Sequence, residues 1–161
     1  MIGKGKGIKL EGNWDEGWAL DWHREDGYKI TIIGKLFHTL IGAYLYQLKY
    51  CEPSTKTNNL IYNLAQETVN FLKTRHFYQY LEAIIPVPPS QERKLQPVIE
   101  IAKEIGRRTG IRVDTEYLIK VKKTLPLKSI NDIESRMEQL KGAFKVVDQR
   151  YKGKSVTRSR K

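Results

Sequence analysis

A single cysteine, Cys51, stands among 161 residues. That excludes an internal disulfide framework and any zinc ribbon built from paired CxxC ligands. His23, His38 and His76 are scattered and share no ligand spacing with Cys51 or with one another, so no metal site is expected. No apolar run approaches the ~20 residues of a membrane-spanning helix. The opening stretch MIGKGKGIKLEG is basic but lacks the apolar core of a secretory signal. A cytoplasmic protein with no membrane partner is the expectation. Internal repeats and low-complexity segments are also absent. The length suits one domain at ~100–200 residues per domain. With 40% hydrophobic and 29% charged residues, wholesale disorder is not favoured.

Positive charge is abundant. The formal net charge is +11, and six of the basic residues (Arg150, Lys152, Lys154, Arg158, Arg160 and Lys161) fall between Gln149 and Lys161 with no acid among them. Such a balance favours phosphate-bearing partners. Residues 149–161 read as a solvated, frayed basic tail, able at most to hold nucleic acid weakly and without sequence choice.

Three regions emerge along the chain. Residues 1–33 form a Trp-rich β-hairpin region: Ile8 and Leu10 alternate with polar residues, Lys29–Ile33 is β-rich, and Trp14, Trp18 and Trp22 lie between. A satellite core is the simpler role for the tryptophans, base stacking the sharper one. Residues 34–148 alternate helix and strand. Phe37, Leu40, Ile41, Tyr44, Leu45 and Leu48 make one helical face in a helix opened by Gly34. Asn58 or Asn59 caps a second helix that buries Ile61, Leu64, Ala65, Thr68 and Leu72.

The apolar run at 83–87 reads as a buried strand. A third helix starts near Pro97, turns Val98, Ile101, Ala102 and Ile105 inward, and stops at Gly110. Residues 111–113 return as a strand, giving a βαβ unit and an α/β fold with a parallel sheet. Residues 117–121 and 143–147 are further strands. Between them a helix, capped by Asn131 with Glu134, is expected to turn Ile133, Met137 and Leu140 inward. Residues 149–161 complete the division. Gly153-Lys154-Ser155 is not a P-loop, since Asp148 occupies the position of the first glycine.

The segment with chemical content is Pro86–Pro97, PVPPSQERKLQP. It joins the carboxyl end of a buried strand to the start of a helix, where open α/β sheets bind ligands and where helix N–H groups favour anions. Ser90, Arg93 and Lys94 add a hydroxyl and two cations, a candidate phosphate site. An ordinary βα loop with surface charges is the plain alternative.

The ordered set IIPVPPS, QPVIEIA, GIRV, LIKVKKT, GAFKV and GKSV resembles the ComF-type phosphoribosyltransferase family over roughly residues 34–156. The resemblance implies a type I phosphoribosyltransferase fold, a parallel α/β core with a smaller hood. It also implies 5-phosphoribosyl 1-diphosphate as substrate, accompanied by magnesium. On this reading Ser90, Arg93 and Lys94 meet the diphosphate, and Lys120, Thr124, Lys128 and Arg136 are further phosphate-binding candidates.

Two departures accompany the resemblance. The Trp-rich hairpin stands in place of the family's zinc ribbon. After GKSV the residues are Thr157-Arg158-Ser159-Arg160-Lys161, where the family carries an apolar strand, two acids and a Thr-Thr-Gly phosphate loop. The expectation is therefore a truncated, partial sheet that is inactive by itself. The rival readings are a small basic nucleic-acid-binding protein and a subunit whose sheet edge is completed by a partner chain or a second copy.

Overall fold

The computed structural model describes residues 7–20, 32–33, 36–37, 40–50, 54–89, 91, 93–125 and 127–159. The chain divides into two compact units, Met1–Tyr78 and Gln79–Lys161. The architecture is mixed α/β.

In the first unit, strands β1 (Ile8–Leu10) and β2 (Gly17–Ala19) pair antiparallel, Lys9 opposite Trp18. Strands β3 (Ile32–Ile33) and β4 (Leu36–Phe37) form a second antiparallel pair. Phe37, expected in a helix opened by Gly34, thus lies in β4. The register leaves only Gly-Lys between the two strands, a spacing that suits a two-residue hairpin.

Helix α1 (Leu40–Tyr50) begins beyond that pair. Helix α2 (Thr57–Lys73) starts earlier than an Asn58 or Asn59 cap would place it. Thr57 Oγ1 accepts from the Ser54 N–H at 2.8 Å, fixing the entry turn. Its buried face comprises Ile61, Leu64, Ala65, Val69, Phe71 and Leu72. Trp18 meets Phe71 edge-on at 5.7 Å, and the Arg75 guanidinium lies over both rings at 4.7 and 4.8 Å. That contact makes Trp18 part of a satellite core. Trp14 is exposed and donates its indole N–H to the Leu10 carbonyl. Trp22 lies outside the described residues.

The second unit is built on strand β5 (Ala83–Pro86), buried throughout. Helix α3 (Pro97–Thr109) packs on it and leads to β6 (Arg112–Val113). Gly110 closes α3 at φ 74°, its N–H on the Gly106 carbonyl. This left-handed stop is nearly free of strain only for glycine. Ile84, Ile85, Ala102 and Ile105 form the core. Each large aliphatic side chain there contributes about 1.5–3 kcal/mol by leaving water.

Strands β7 (Leu118–Lys120) and β8 (Phe144–Val146) pair antiparallel with each other in a separate ribbon. Between them lies α4 (Ile133–Leu140). Its cap is Asp132, whose carboxylate accepts from the Ser135 N–H at 2.6 Å, and not Asn131. The inward face expected of α4 is not found: Ile133, Met137 and Leu140 are all exposed, and no residue of the helix is buried.

Strand β9 (Val156–Ser159) completes the unit. It pairs parallel with β5, Ala83 opposite Val156 and Pro86 opposite Ser159, and the sheet order is β6-β5-β9. The basic segment is thus no frayed tail over 156–159. The Val156-Thr157 pair is β-favouring and supplies ladder partners to a central strand that would otherwise bury unpaired backbone groups.

Candidate anion-binding site

Three parallel strands set the geometry. The β5–β6 ladder aligns Ala83 with Arg112 and Ile84 with Val113, and the Asp114 N–H extends it onto the Ile84 carbonyl at 3.0 Å. The carboxyl end of β5 therefore lies beside those of β6 and β9.

Residues 87–96 leave β5 at this end. Pro86 is the last residue of β5, and Pro88 and Pro89 beyond it carry no N–H and hold φ fixed, so the ladder does not continue past them. The return into α3 is drawn together by Gln96, whose Nε2 donates to the Gln91 carbonyl at 3.2 Å. Gln96 itself is extended, with φ −107° and ψ 92°, and its side chain does not cap the helix. Its carbonyl accepts from the N–H groups of Ile99 and Glu100, each at 3.0 Å. Pro97 fills the first helical position, where a missing N–H costs nothing. The positive end of the α3 dipole thus opens onto the loop. Glu100, in the first turn, opposes it, but its Oε1 accepts from Lys103 Nζ at 2.9 Å, one turn further on.

Arg93 is half-buried and Lys94 exposed in this loop. Ser90 lies outside the described residues. The second candidate group falls on the β7–β8 excursion. Lys120 Nζ donates to Thr124 Oγ1 at 2.7 Å, so these two are brought together. Arg136 donates from Nε to the Ile130 carbonyl at 2.8 Å. Lys128 sits in a single 3-10 turn, Leu127–Ser129, its side chain outside the described residues. No three His, Cys, Asp or Glu side chains among the described residues converge as metal ligands.

One cluster was not foreseen from the sequence. Asp114, just past β6, is 5% exposed. One carboxylate oxygen accepts from the N–H groups of Glu116 and Tyr117 at 3.1 and 3.0 Å. The other accepts from the Tyr151 hydroxyl at 3.0 Å and from Arg150 Nη1 at 3.2 Å. Arg150 also forks onto Asp148, and the rings of Tyr117 and Tyr151 meet edge-on at 4.8 Å.

Burial alone would push the Asp114 carboxyl up. The Glu116 N–H, the Tyr151 hydroxyl, the Tyr117 N–H and the Arg150 charge together overcome this and hold it below its ordinary value. Burial and the Asp114 hydrogen bond push the Tyr151 hydroxyl up. The cluster fastens the 148–151 turn to the end of β6, and that turn delivers the chain to β9. Its only sequence signal is an Asp able to bond the N–H two residues on, at Glu116, as in an Asx turn. Its partners lie more than 30 residues on.

No protein-family model matches the chain, and no match to it was found among curated proteins or solved structures.

Proposed function

We propose that the carboxyl end of β5 binds a diphosphate-bearing ligand, as in the phosphoribosyltransferase-like reading, with Arg93, Lys94 and Ser90 as its contacts. The observation that supports this is the parallel order β6-β5-β9. From β5 the chain moves out to β6 on one side and later returns to β9 on the other. Ligands of open α/β sheets bind outside the carboxyl ends of the strands. The 87–96 segment and the start of α3 lie at that end of β5.

The grip is electrostatic. The positive end of the α3 dipole and the two cations complement phosphate oxygens. Lys120 and Thr124, already joined to each other, are proposed as a second phosphate contact, with Lys128 and Arg136. Magnesium, which the resemblance implies, is proposed to accompany the diphosphate. With Thr157-Arg158-Ser159 in β9 where the family carries an apolar strand, the chain is proposed to bind the anion without transferring the sugar.

Titration calorimetry with diphosphate, with sulfate as comparator, tests the reading. Arg93→Ala combined with Lys94→Ala should weaken diphosphate about tenfold, equivalent to ~1.4 kcal/mol, with the fold intact by circular dichroism. Unchanged affinity in the double variant removes the loop from consideration. Steady release of diphosphate from 5-phosphoribosyl 1-diphosphate by the purified chain would refute the non-catalytic part.

The nucleic-acid reading has less in its favour. Arg150 is paired with Asp148 and Asp114, and Lys154 with Glu82 at 2.6 Å. Two of the six clustered cations are thus committed within the fold.

A further inference from the structure

The geometry points to self-association of this chain through α4, packed antiparallel against α4 of a second copy. The helix is attached by its polar side. Gln139 Oε1 accepts from the Leu125 N–H at 3.3 Å, and Arg136 is bound to the Ile130 carbonyl. At ~100° per residue, Ile133, Met137 and Leu140 share an arc of ~60°, with Gln139 roughly 130° round the helix from its centre. Ile133 is 71% exposed, Met137 67% and Leu140 36%, and no residue of α4 is buried. A helix of eight residues gains little from propensity and depends on packing of an apolar face, yet here that face meets solvent.

Charge selects the occupant. Glu134 borders the stripe near its start, and Lys141 stands on the same border just past its end. About a two-fold axis beside Met137, Ile133 of one copy meets Leu140 of the other and Met137 meets Met137. Glu134 of each copy then faces Lys141 of the other, a self-complementary arrangement of the isologous kind. Lys141 is free to exchange partners, since its present contact, Glu138 at 3.7 Å, is exposed on both sides and such pairs contribute little.

An anionic lipid surface or an acidic peptide fits less well, because Asp132, Glu134 and Glu138 outnumber Arg136 and Lys141 along the same helix. Arg136, on the opposite border, would approach its own copy, which keeps the contact modest. So does length: a helix of ~12 Å covers less than the ~800 Å² per partner of a standard stable interface.

Sedimentation velocity on the full chain from about 10 µM to about 1 mM, a range set by weak affinities, should show a monomer passing to a dimer. Met137→Glu places two like charges at the axis and should abolish the dimer, with an unchanged circular dichroism spectrum because the side chain is exposed. Glu134→Lys and Lys141→Glu should each weaken association severalfold, and the two together should restore it.

As a positional check, Met137→Cys in a Cys51→Ser background should form an intermolecular disulfide with oxidised glutathione. It should do so faster than Lys103→Cys, an exposed position on α3. A monomer at every concentration, or a dimer indifferent to all these changes, overturns the inference. So does cross-linking at 137 no faster than at 103. Binding to phosphatidylserine vesicles that Met137→Glu abolishes, without a dimer, would assign the stripe to a membrane instead.

Discussion

Replacing Asp114 by alanine removes four hydrogen bonds at once and leaves their donors behind. Two come from backbone N–H groups, one from the Tyr151 hydroxyl and one from Arg150. A neutral bond of this kind is worth about 1 kcal/mol net, and one to a charged group about 1.5–3 kcal/mol. Arg150 is 36% exposed and keeps Asp148, so its share is small. The other three bonds end on the charged carboxylate, and at the low end of that range they come to about 4.5 kcal/mol, within the range for breaking a buried charge network.

Asp114→Asn retains an oxygen for the two backbone donors and should lose about 1–2 kcal/mol. All three tryptophans belong to the first unit, so a backbone probe that reports on the second unit is the better choice. The assay is urea unfolding followed by far-UV circular dichroism, with amide exchange read at 156–159. At a slope of about 2 kcal/mol per molar, Asp114→Ala should lower the midpoint by about 2 M and deprotect β9 before the core of α3.

The pH dependence carries a definite sign. The carboxyl is held below its ordinary 3.8 in the folded chain, so its contribution is complete above 3.8. It is lost as pH falls through the lower folded value. Wild type and Asp114→Ala should therefore converge in acid. An unchanged midpoint together with intact β9 protection would show that the cluster does not hold the turn.

Other outcomes follow from single contacts. Gly106→Ala should destabilise by about 1–3 kcal/mol, because a Cβ there collides with the Val113 side chain and comes within 2.9 Å of the Ile111 carbonyl; unfolding midpoints that rise with helix propensity would contradict this. Hydrogen bonds from Arg107 and Arg108 hold Glu104 at about 2 against an ordinary 4.5. Its contribution is full above 4.5 and fades as pH drops towards 2, so Glu104→Gln should cost about 1 kcal/mol at pH 7 and less near pH 2, measured by urea unfolding at both pH values. Deleting 149–161 should unfold the second unit rather than trim a loose arm, seen as lost circular dichroism. Lys152→Glu is the cleaner probe of the nucleic-acid reading. If Lys152 contacts phosphate, the logarithmic salt slope measured by fluorescence anisotropy should flatten by ~0.9 on B-DNA. We expect weak, sequence-blind binding and little change.

The β5–α3–β6 unit was legible because local signals agreed there. An apolar run ended by prolines, a proline at the first helical position and a glycine at the stop each fit the observed structure, and such agreement marks a well-specified segment. The loop site shares that legibility only as a position between strand and helix, since Ser90 lies outside the described residues. Elsewhere one local signal competed with another. At residues 36–37 the helical spacing of Phe37 and Leu40 masked a β pair. At 156–159 the count of cations suggested solvation, whereas the β-favouring Val156-Thr157 pair and the backbone demand of β5, a long-range term, both favour a strand. The Asp114 cluster was hidden for a similar reason: its spacing to Tyr117 is local, but Arg150 and Tyr151 are not.

Helix α4 shows where periodicity stops being informative. The spacing of Ile133, Met137 and Leu140 correctly marks one apolar face. It does not say whether that face meets the chain's own core or something outside it. In the structure the polar contacts of the helix lie beside the stripe: Gln139 accepts from the Leu125 N–H, and Arg136, on the stripe's border, donates to the Ile130 carbonyl. The stripe itself faces solvent, and the opposed charges of Glu134 and Lys141 on one border are what give it a direction for pairing.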